Sequence, residues 1–272
     1  MTAELIRGKN LSHAWLRAMY HLCGAGGTAT NFCVAFNDYS EEPPIRETLN
    51  SFIDTYRAGE QPKSEIYPVS TVANTIFPTA FYRWGSPRTE SRQRLYDLHA
   101  RAMRVQRRMR DKDNYFNRLV SWPSSDGPLN QLEALVLKLT REVKATNPKS
   151  SCYEVGIEHP EFDAVTSGGD VRVQSPEHDK RIMGFPCLSH LSFTLVGGEL
   201  HLTAVYRNQH FIARAYGNYV GLARLVEFVT QESGCIPGEI LCVATHADAQ
   251  LNLGKARVGA MLETASYEEV LA

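Results

Sequence analysis

No run of eighteen or so apolar residues occurs anywhere in the chain, so nothing in it reads as a transmembrane helix. Near the N-terminus no basic segment leads into an apolar stretch and a small-residue cleavage site, so no secretory leader is expected. Neither sign of charge is in excess: 29 Lys and Arg against 30 Asp and Glu leave a net charge of -1, which argues against a nucleic-acid binder. The six cysteines (Cys23, Cys33, Cys152, Cys187, Cys235 and Cys242) contain no CxxC spacing, and in 272 residues they are too sparse for a disulfide framework. A zinc site is therefore not expected, and a reduced, cytoplasmic setting is. The glycines of Gly24-Ala25-Gly26-Gly27 match neither a dinucleotide fingerprint nor a phosphate-cradling loop and belong to a turn. What is left, 43% hydrophobic and 22% charged residues, suits one soluble globular domain spanning residues 1–272.

The first hundred or so residues carry few distinctive signals. Leu5 to Leu22 reads as a helical start, and the apolar run from Phe32 to Phe36 as a strand. Ser40 to Pro68 is polar and proline-containing and reads as surface connections. Between Arg83 and Arg118, arginines including Arg88, Arg92, Arg101, Arg107, Arg108 and Arg110, with Lys112, are interleaved with Leu95, Leu98, Met103 and Val105. That pattern describes the solvated face of a long amphipathic helix, with a substrate-phosphate surface as the alternative; no stacking aromatics alternate with the arginines as a nucleic-acid surface would need. Leu129, Leu132, Leu135, Val136, Leu139 and Val143 fall at helical spacing, and Asn147-Pro148 is expected to end that helix, because a proline disfavours helical geometry before it.

The second half is richer. Leu191, Phe193 and Leu195 alternate with Ser192 and Thr194, Gly197-Gly198 supplies a tight turn, and Leu200, Leu202, Ala204 and Tyr206 alternate on the return, so an antiparallel hairpin is predicted. By the two-residue period, His201, Thr203, Val205 and Arg207 share its other face. Cys187 stands in Gly184-Phe185-Pro186-Cys187 just before the hairpin and Arg207 at its far end, which offers a thiol and a cation at one mouth of a sheet. Asn218 opens a segment with apolar residues at helical spacing that closes at Gly234, and is read as an N-cap whose side chain can also face a ligand. Ile240 to Ala244 reads as a buried strand delivering His246 and Asp248 past its end, where sites collect.

This order of residues resembles the thymidylate synthases and their pyrimidine hydroxymethylase relatives. The resemblance is carried by Pro186-Cys187 before the hairpin, Arg207, Asn218, Pro237-Gly238-Glu239 and His246, with Tyr115-Phe116-Asn117-Arg118, Asn130-Gln131-Leu132 and Asn147-Pro148-Lys149-Ser150 upstream. It covers residues 115–250 and leaves 1–110 poorly assigned. It implies an α/β (α+β) fold, a mixed, largely antiparallel sheet with helices packed on one face and a homodimer formed through the other. It also implies folate-dependent methylation or hydroxymethylation at C5 of a pyrimidine nucleotide, with 5,10-methylenetetrahydrofolate as cofactor.

Residue by residue, the resemblance implies that Cys187 adds to C6 of the pyrimidine, with Tyr115 beside it. Arg207 would lower the thiol's pKa and hold the phosphate, Asn218 would read the base, and His246 would contact a sugar hydroxyl. The departures bear on the substrate. Ser151 and Cys152 stand where the family has two arginines that reach the partner's phosphate. His210 stands where an aspartate holds the pterin, Asn74 falls where a glutamate manages proton transfers, and Asp248 replaces a tyrosine near the sugar. Because an aspartate can accept from two adjacent hydroxyls, a ribonucleotide acceptor (UMP or CMP), and with it a role in modified-nucleoside metabolism, is the expectation. A non-catalytic ligand-binding homologue, or the same chemistry on a non-nucleotide acceptor, is the alternative.

Overall fold

The computed structural model describes residues 4–59, 66–85, 88–108, 114–122, 127–157 and 187–266; side chains from 106 to 108 are not described. Gly184 to Pro186, Arg110 and Lys112 lie outside the described residues. The elements run β1 (Glu4–Arg7), α1 (Leu11–Gly24), β2 (Thr28–Phe36), α2 (Pro43–Arg57), α3 (Val69–Ile76), α4 (Arg88–Arg108), α5 (Tyr115–Val120), α6 (Gln131–Glu142), β3 (Tyr153–Gly156), β4 (Leu188–Val196), β5 (Glu199–Tyr206), β6 (Gln209–His210), α7 (Tyr216–Ser233), β7 (Ile236–Asp248) and α8 (Lys255–Ser266). Among the described residues one mixed sheet forms in the order β1-β2-β7-β5-β4-β3, with β6 beside β7. The long contacts β2 with β7 and β4 with β5 are antiparallel, whereas β5 and β7 run parallel.

The predicted hairpin forms as its pattern dictates. Gly197 and Gly198 adopt φ of 60° and 89°, the double left-handed geometry that a two-residue turn requires, and Val196 pairs with Glu199 across it. Along β5, Leu200, Leu202, Ala204 and Tyr206 are buried under the helical layer while Thr203 and Val205 on the other face are only half-buried. Helix α7 is the centre of that layer: nearly all of it is buried, and Gly234, at φ 86°, closes it with its N–H on Thr230 O. Gly217 and Gly221, one turn apart, let α3 come close; a Cβ at Gly217 would lie 2.6 Å from Val72 Cβ, and one at Gly221 2.8 Å from Ala73 O. Filling either position would overpack the contact, at about 1–3 kcal/mol.

Three sequence expectations are corrected. Leu5 is in a strand, not a helix: β1 pairs in parallel with β2, and α1 starts only after Asn10 caps the N–H of His13 at 3.0 Å. Residues 43–57 are a helix, not a connection; its prolines sit in the first turn, where no backbone donor is lost, and Ile45, Leu49 and Ile53 form its buried stripe at a spacing of four. Helix α6 ends at Glu142, five residues before Asn147, because Val143, Lys144 and Ala145 turn away through tight backbone bonds; Glu142 accepts from the N–H of Lys149 beyond that turn.

The arginine-rich α4 is tied down by two carboxylates. Glu232 of α7, 2% exposed, accepts from Tyr82 Oη at 2.5 Å and Arg92 Nη1 at 3.0 Å. Glu133 of α6 lies 3.2 Å from Arg92 Nε and accepts from Tyr96 Oη at 3.0 Å. Arg88 donates to the backbone oxygen of Glu232 at 3.4 Å. Arg92, half-buried between both carboxylates, fastens α4 to the core, and the exposed Arg88 adds one bond to the backbone of α7.

Candidate active site

Cys187 enters the sheet at a bulge. Leu188 pairs with Tyr206 and His190 with Val205, so Ser189 is the extra residue, and its hydroxyl donates to Val205 O at 3.0 Å. Three bonds fix the backbone at the thiol: the N–H of Arg207 donates to Cys187 O at 2.8 Å, and the N–H groups of Cys187 and Leu188 converge on Tyr115 Oη at 3.2 and 3.4 Å. Tyr115 is presented by α5, whose N-terminus is capped by Asn114 on the N–H of Asn117 at 2.8 Å. Gln131 locks the same region, bridging Arg118 O at 3.0 Å and Gly156 O at 2.9 Å. The residues that sequence places apart, Cys187, Arg207 and Tyr115, are thus brought into one cluster.

The electrostatics differ from the expectation that Arg207 depresses the thiol pKa. Burial pushes the Cys187 thiol up; Arg214 and then Arg207 pull against it without reversing the direction. The thiol at rest is accordingly protonated at neutral pH, and the two guanidiniums limit a cost that desolvation sets. Tyr115 is also pushed up, chiefly by burial and then by Cys187.

A polar chain continues along the strand ends. Thr245 donates to Arg207 O at 2.5 Å, Asn208 Oδ1 lies 3.0 Å from His246 Nδ1, and Asn208 Nδ2 lies 3.3 Å from His210 Nε2. His210 and Asp248 are cross-strand partners on β6 and β7, with Nδ1 and Oδ2 3.5 Å apart. Burial holds the His210 imidazole below its usual range despite Asp248, so it is neutral at pH 7. Asp248 Oδ1 accepts the N–H of Gln250 at 2.6 Å, so one of its oxygens already has a backbone donor.

Asn218 is not an N-cap. A π-helical turn, Phe211–Ala215, runs straight into α7, so helical backbone begins before Asn218 and leaves it inside the first turn. It is 4% exposed, and among the described residues its carboxamide makes no hydrogen bond. That leaves its donors and acceptor for a ligand. Asn74 is on the exposed side of α3, 3.5 Å from Arg224 Nη1, and the structure does not join it to the thiol cluster. Ser151 and Cys152 precede β3, away from these contacts.

Sequence reasoning missed Arg214, Asn208 and Gln250. Arg214 sits in the apolar stretch Phe211-Ile212-Ala213-Arg214-Ala215-Tyr216, where a single charge in an otherwise buried run was the available signal. Gln250 adopts φ 57°, a left-handed backbone uncommon for its type, and accepts the N–H of Ala213 at 2.7 Å, tying the loop after β7 to the π-turn.

Among the described residues no helix is long and apolar enough to cross a membrane, and no group of three or more His, Cys, Asp or Glu could hold a metal ion. All six cysteines are free thiols. No protein-family model matches the chain. Among curated proteins it is 23% identical over 245 residues to one of Methanococcoides burtonii named "Putative thymidylate synthase", an alignment covering 90% of this chain and 88% of that one. A Methanosarcina mazei protein of the same name matches at 23% with the same coverage, and one of Methanocaldococcus jannaschii is 26% identical over 122 residues, 44% of this chain and 47% of that one. The likeness therefore extends well into residues 1–110, which the motifs leave poorly assigned. In that coverage and in the order of motifs around its thiol, the chain is similar, at a distance, to curated proteins named putative thymidylate synthase.

Proposed function

We propose that this protein, acting as a single domain, transfers one carbon from 5,10-methylenetetrahydrofolate to C5 of a pyrimidine nucleotide after Cys187 adds to C6. The observation that carries the reading is the joint fixing of Cys187 by Tyr115 and by the backbone of Arg207, with two arginines acting on the thiol. A core cysteine needs neither a bulge nor converging donors nor cations, so the packing-only alternative leaves these features unexplained.

In this mechanism the thiol releases its proton to solvent as sulfur bonds to C6, and the electron pair displaced from the C5–C6 double bond makes C5 the nucleophile. Once C5 has bonded to the carbon the folate would supply and that carbon has left the folate nitrogen, loss of the C5 proton, addition of hydride or water-derived hydroxide to that carbon, and expulsion of the Cys187 thiolate from C6 would restore the double bond and free the enzyme. Asn218 would pair with the base through its carboxamide, donating to a carbonyl and accepting from a ring N–H, which favours uracil over cytosine. His246 would meet the sugar. A ribose preference rests on Asp248 Oδ2 and the remaining lone pairs of Oδ1, since Gln250 already occupies part of the carboxylate.

The strand ends are where the folate would be held. His210 Nδ1 is buried without a hydrogen bond, and Asp248 lies across the ladder from it, so an acidic acceptor and a neutral imidazole stand together where a pterin's donors and acceptors would be met. Bound there, the cofactor supplies the transferred carbon and, for a methyl product, the hydride. Exclusion of water from the site decides between 5-methyl and 5-hydroxymethyl products. The sheet face opposite the helical layer, with half-buried Ser192, Thr194, Thr203, Val205, Leu241 and Val243, supports a homodimer formed through it.

The test is incubation with methylenetetrahydrofolate and UMP, CMP, dUMP or dCMP tritiated at C5. Tritium release with a rise in dihydrofolate absorbance identifies methylation, and release alone identifies hydroxymethylation. Absence of release with every acceptor, and no difference between wild type and Cys187→Ala, would leave the ligand-binding reading in its place. A monomer by sedimentation would overturn the proposed dimer.

A further inference from the structure

Arg214 differs from the arginines of α4. Its guanidinium is half-buried and lies over the ring of Tyr67, 4.8 Å from the centroid, and among the described residues no carboxylate pairs with it. A partly desolvated cation without an anion is a costly arrangement for a fold to keep, and stacking on an exposed tyrosine offsets only part of that cost. The backbone that carries it is fixed from both sides. Trp15 Nε1 donates to Phe211 O at 2.9 Å, and Gln250, itself held in left-handed geometry, accepts from Ala213 N at 2.7 Å. A π-turn with buried side-chain tethers at both ends is a feature that recurs where a side chain must be aimed. The π-turn begins directly after His210 and leads into the helix that carries Asn218, and the guanidinium is near enough to Cys187, Tyr115 and His210 to act electrostatically on all three.

We propose that Arg214 is a substrate-binding residue which, beside Arg207, holds the anionic group of the acceptor, the phosphate of the nucleotide proposed above, on whose identification this inference rests. Tyr67 keeps the guanidinium plane in place, Gln250 is a positioning residue that fixes its turn, and Asn218, four residues on, faces the base while Arg214 takes the charge. The site binds nucleoside monophosphates in preference to nucleosides.

Titration calorimetry of the full chain with UMP, CMP, dUMP and dCMP, each against its nucleoside, tests this, with inorganic phosphate as a competitor. For the best acceptor, wild type prefers the nucleotide by at least about tenfold, the scale of a charge-assisted bond. Arg214→Gln loses most of that preference with nucleoside affinity unchanged, and Arg214→Lys keeps an intermediate preference, which also covers a Gln variant that does not fold. A wild-type preference retained in Arg214→Gln, an equal loss for nucleotide and nucleoside, or no preference in wild type would each overturn the proposal. Tritium release from C5, measured separately, distinguishes the two readings. An Arg214-dependent preference without release sinks the one-carbon chemistry and leaves the anion site standing; release without that dependence sinks only the anion site.

Discussion

Two sets of arginines occupy this molecule under opposite conditions. Arg88 and Arg92 of α4 belong to a dense run of cations, and the structure answers them with Glu232, Glu133 and Tyr82. Arg214 is a single charge in an apolar stretch and Arg207 stands at a strand end, and both act on a thiol. The dense run is what sequence statistics notice first, yet its members are structural ties or exposed charges. The lone charge in a buried stretch has no carboxylate to satisfy it among the described residues, and that imbalance is what supports the proposed anion-binding role.

The largest effect that would break this contrast belongs to the thiol. Cys187→Ser should lower C5 tritium release by at least about 10^4-fold, since removal of a covalent nucleophile takes catalysis to near its background. Its melting temperature should stay close to that of wild type. Activity surviving in that variant would remove the chemical reading of the whole cluster.

Next in size is the stability of the α4 anchor. Glu232→Ala leaves Arg92 beside the core with one carboxylate instead of two and Tyr82 without its acceptor, at a cost of about 3–5 kcal/mol in urea unfolding. Activity per folded molecule should be unchanged, which is the mirror of Cys187→Ser. A stability loss under 1 kcal/mol would mean that α4 is not held by this pair.

Smaller again is the support of the thiol. Tyr115→Phe removes the acceptor of the Cys187 and Leu188 N–H groups, which should cost about 1–3 kcal/mol and slow turnover more than it weakens nucleotide binding. The pH dependence follows from the raised thiol. Only the thiolate reacts with iodoacetamide, burial lowers its fraction at any given pH, and alkylation of Cys187 should therefore rise about tenfold per pH unit to a midpoint above the ordinary thiol range. Arg207→Gln and Arg214→Gln each remove a cation that favours the thiolate, so both midpoints should move higher. A wild-type midpoint below that of a free cysteine would show that the arginines outweigh burial.

How much of this was legible varies with the kind of physics involved. The hairpin from Leu188 to Tyr206 was readable because alternation and Gly197-Gly198 are local signals, and it alone spaces Cys187 and Arg207 to face each other. Helix α2 was hidden by its prolines, which mark a first turn as readily as a loop. Strand β1 is four residues long and is specified by its partner β2, not by its own pattern. The bulge at Ser189, the π-turn and the His210 pairing with Asp248 are register effects between strands and helices distant in sequence. Arg214 was therefore invisible as a site residue until the turn that aims it was seen. Net thiol pKa was misjudged for a related reason: sequence lists the cations near a cysteine but not the burial that opposes them.

The smallest effect closes the comparison from the α4 side. Arg101 and Arg104 are exposed on that helix, and among the described residues Arg104 reaches only the backbone oxygen of Ala100, within its own helix, at 3.3 Å. If the run is a solvated face, the double substitution Arg101→Gln, Arg104→Gln changes stability by no more than about 0.5 kcal/mol, the scale of surface substitutions away from special contacts. Nucleotide affinity in calorimetry should also match wild type at low and at moderate salt, because charges at a distance are screened. A loss of nucleotide affinity in this variant that grows as salt is lowered would assign phosphate capture to α4 after all. The contrast between the dense run and the lone arginine would then fail at its weaker end, because exposed, unanchored arginines would be doing what the structure reserves for an aimed one.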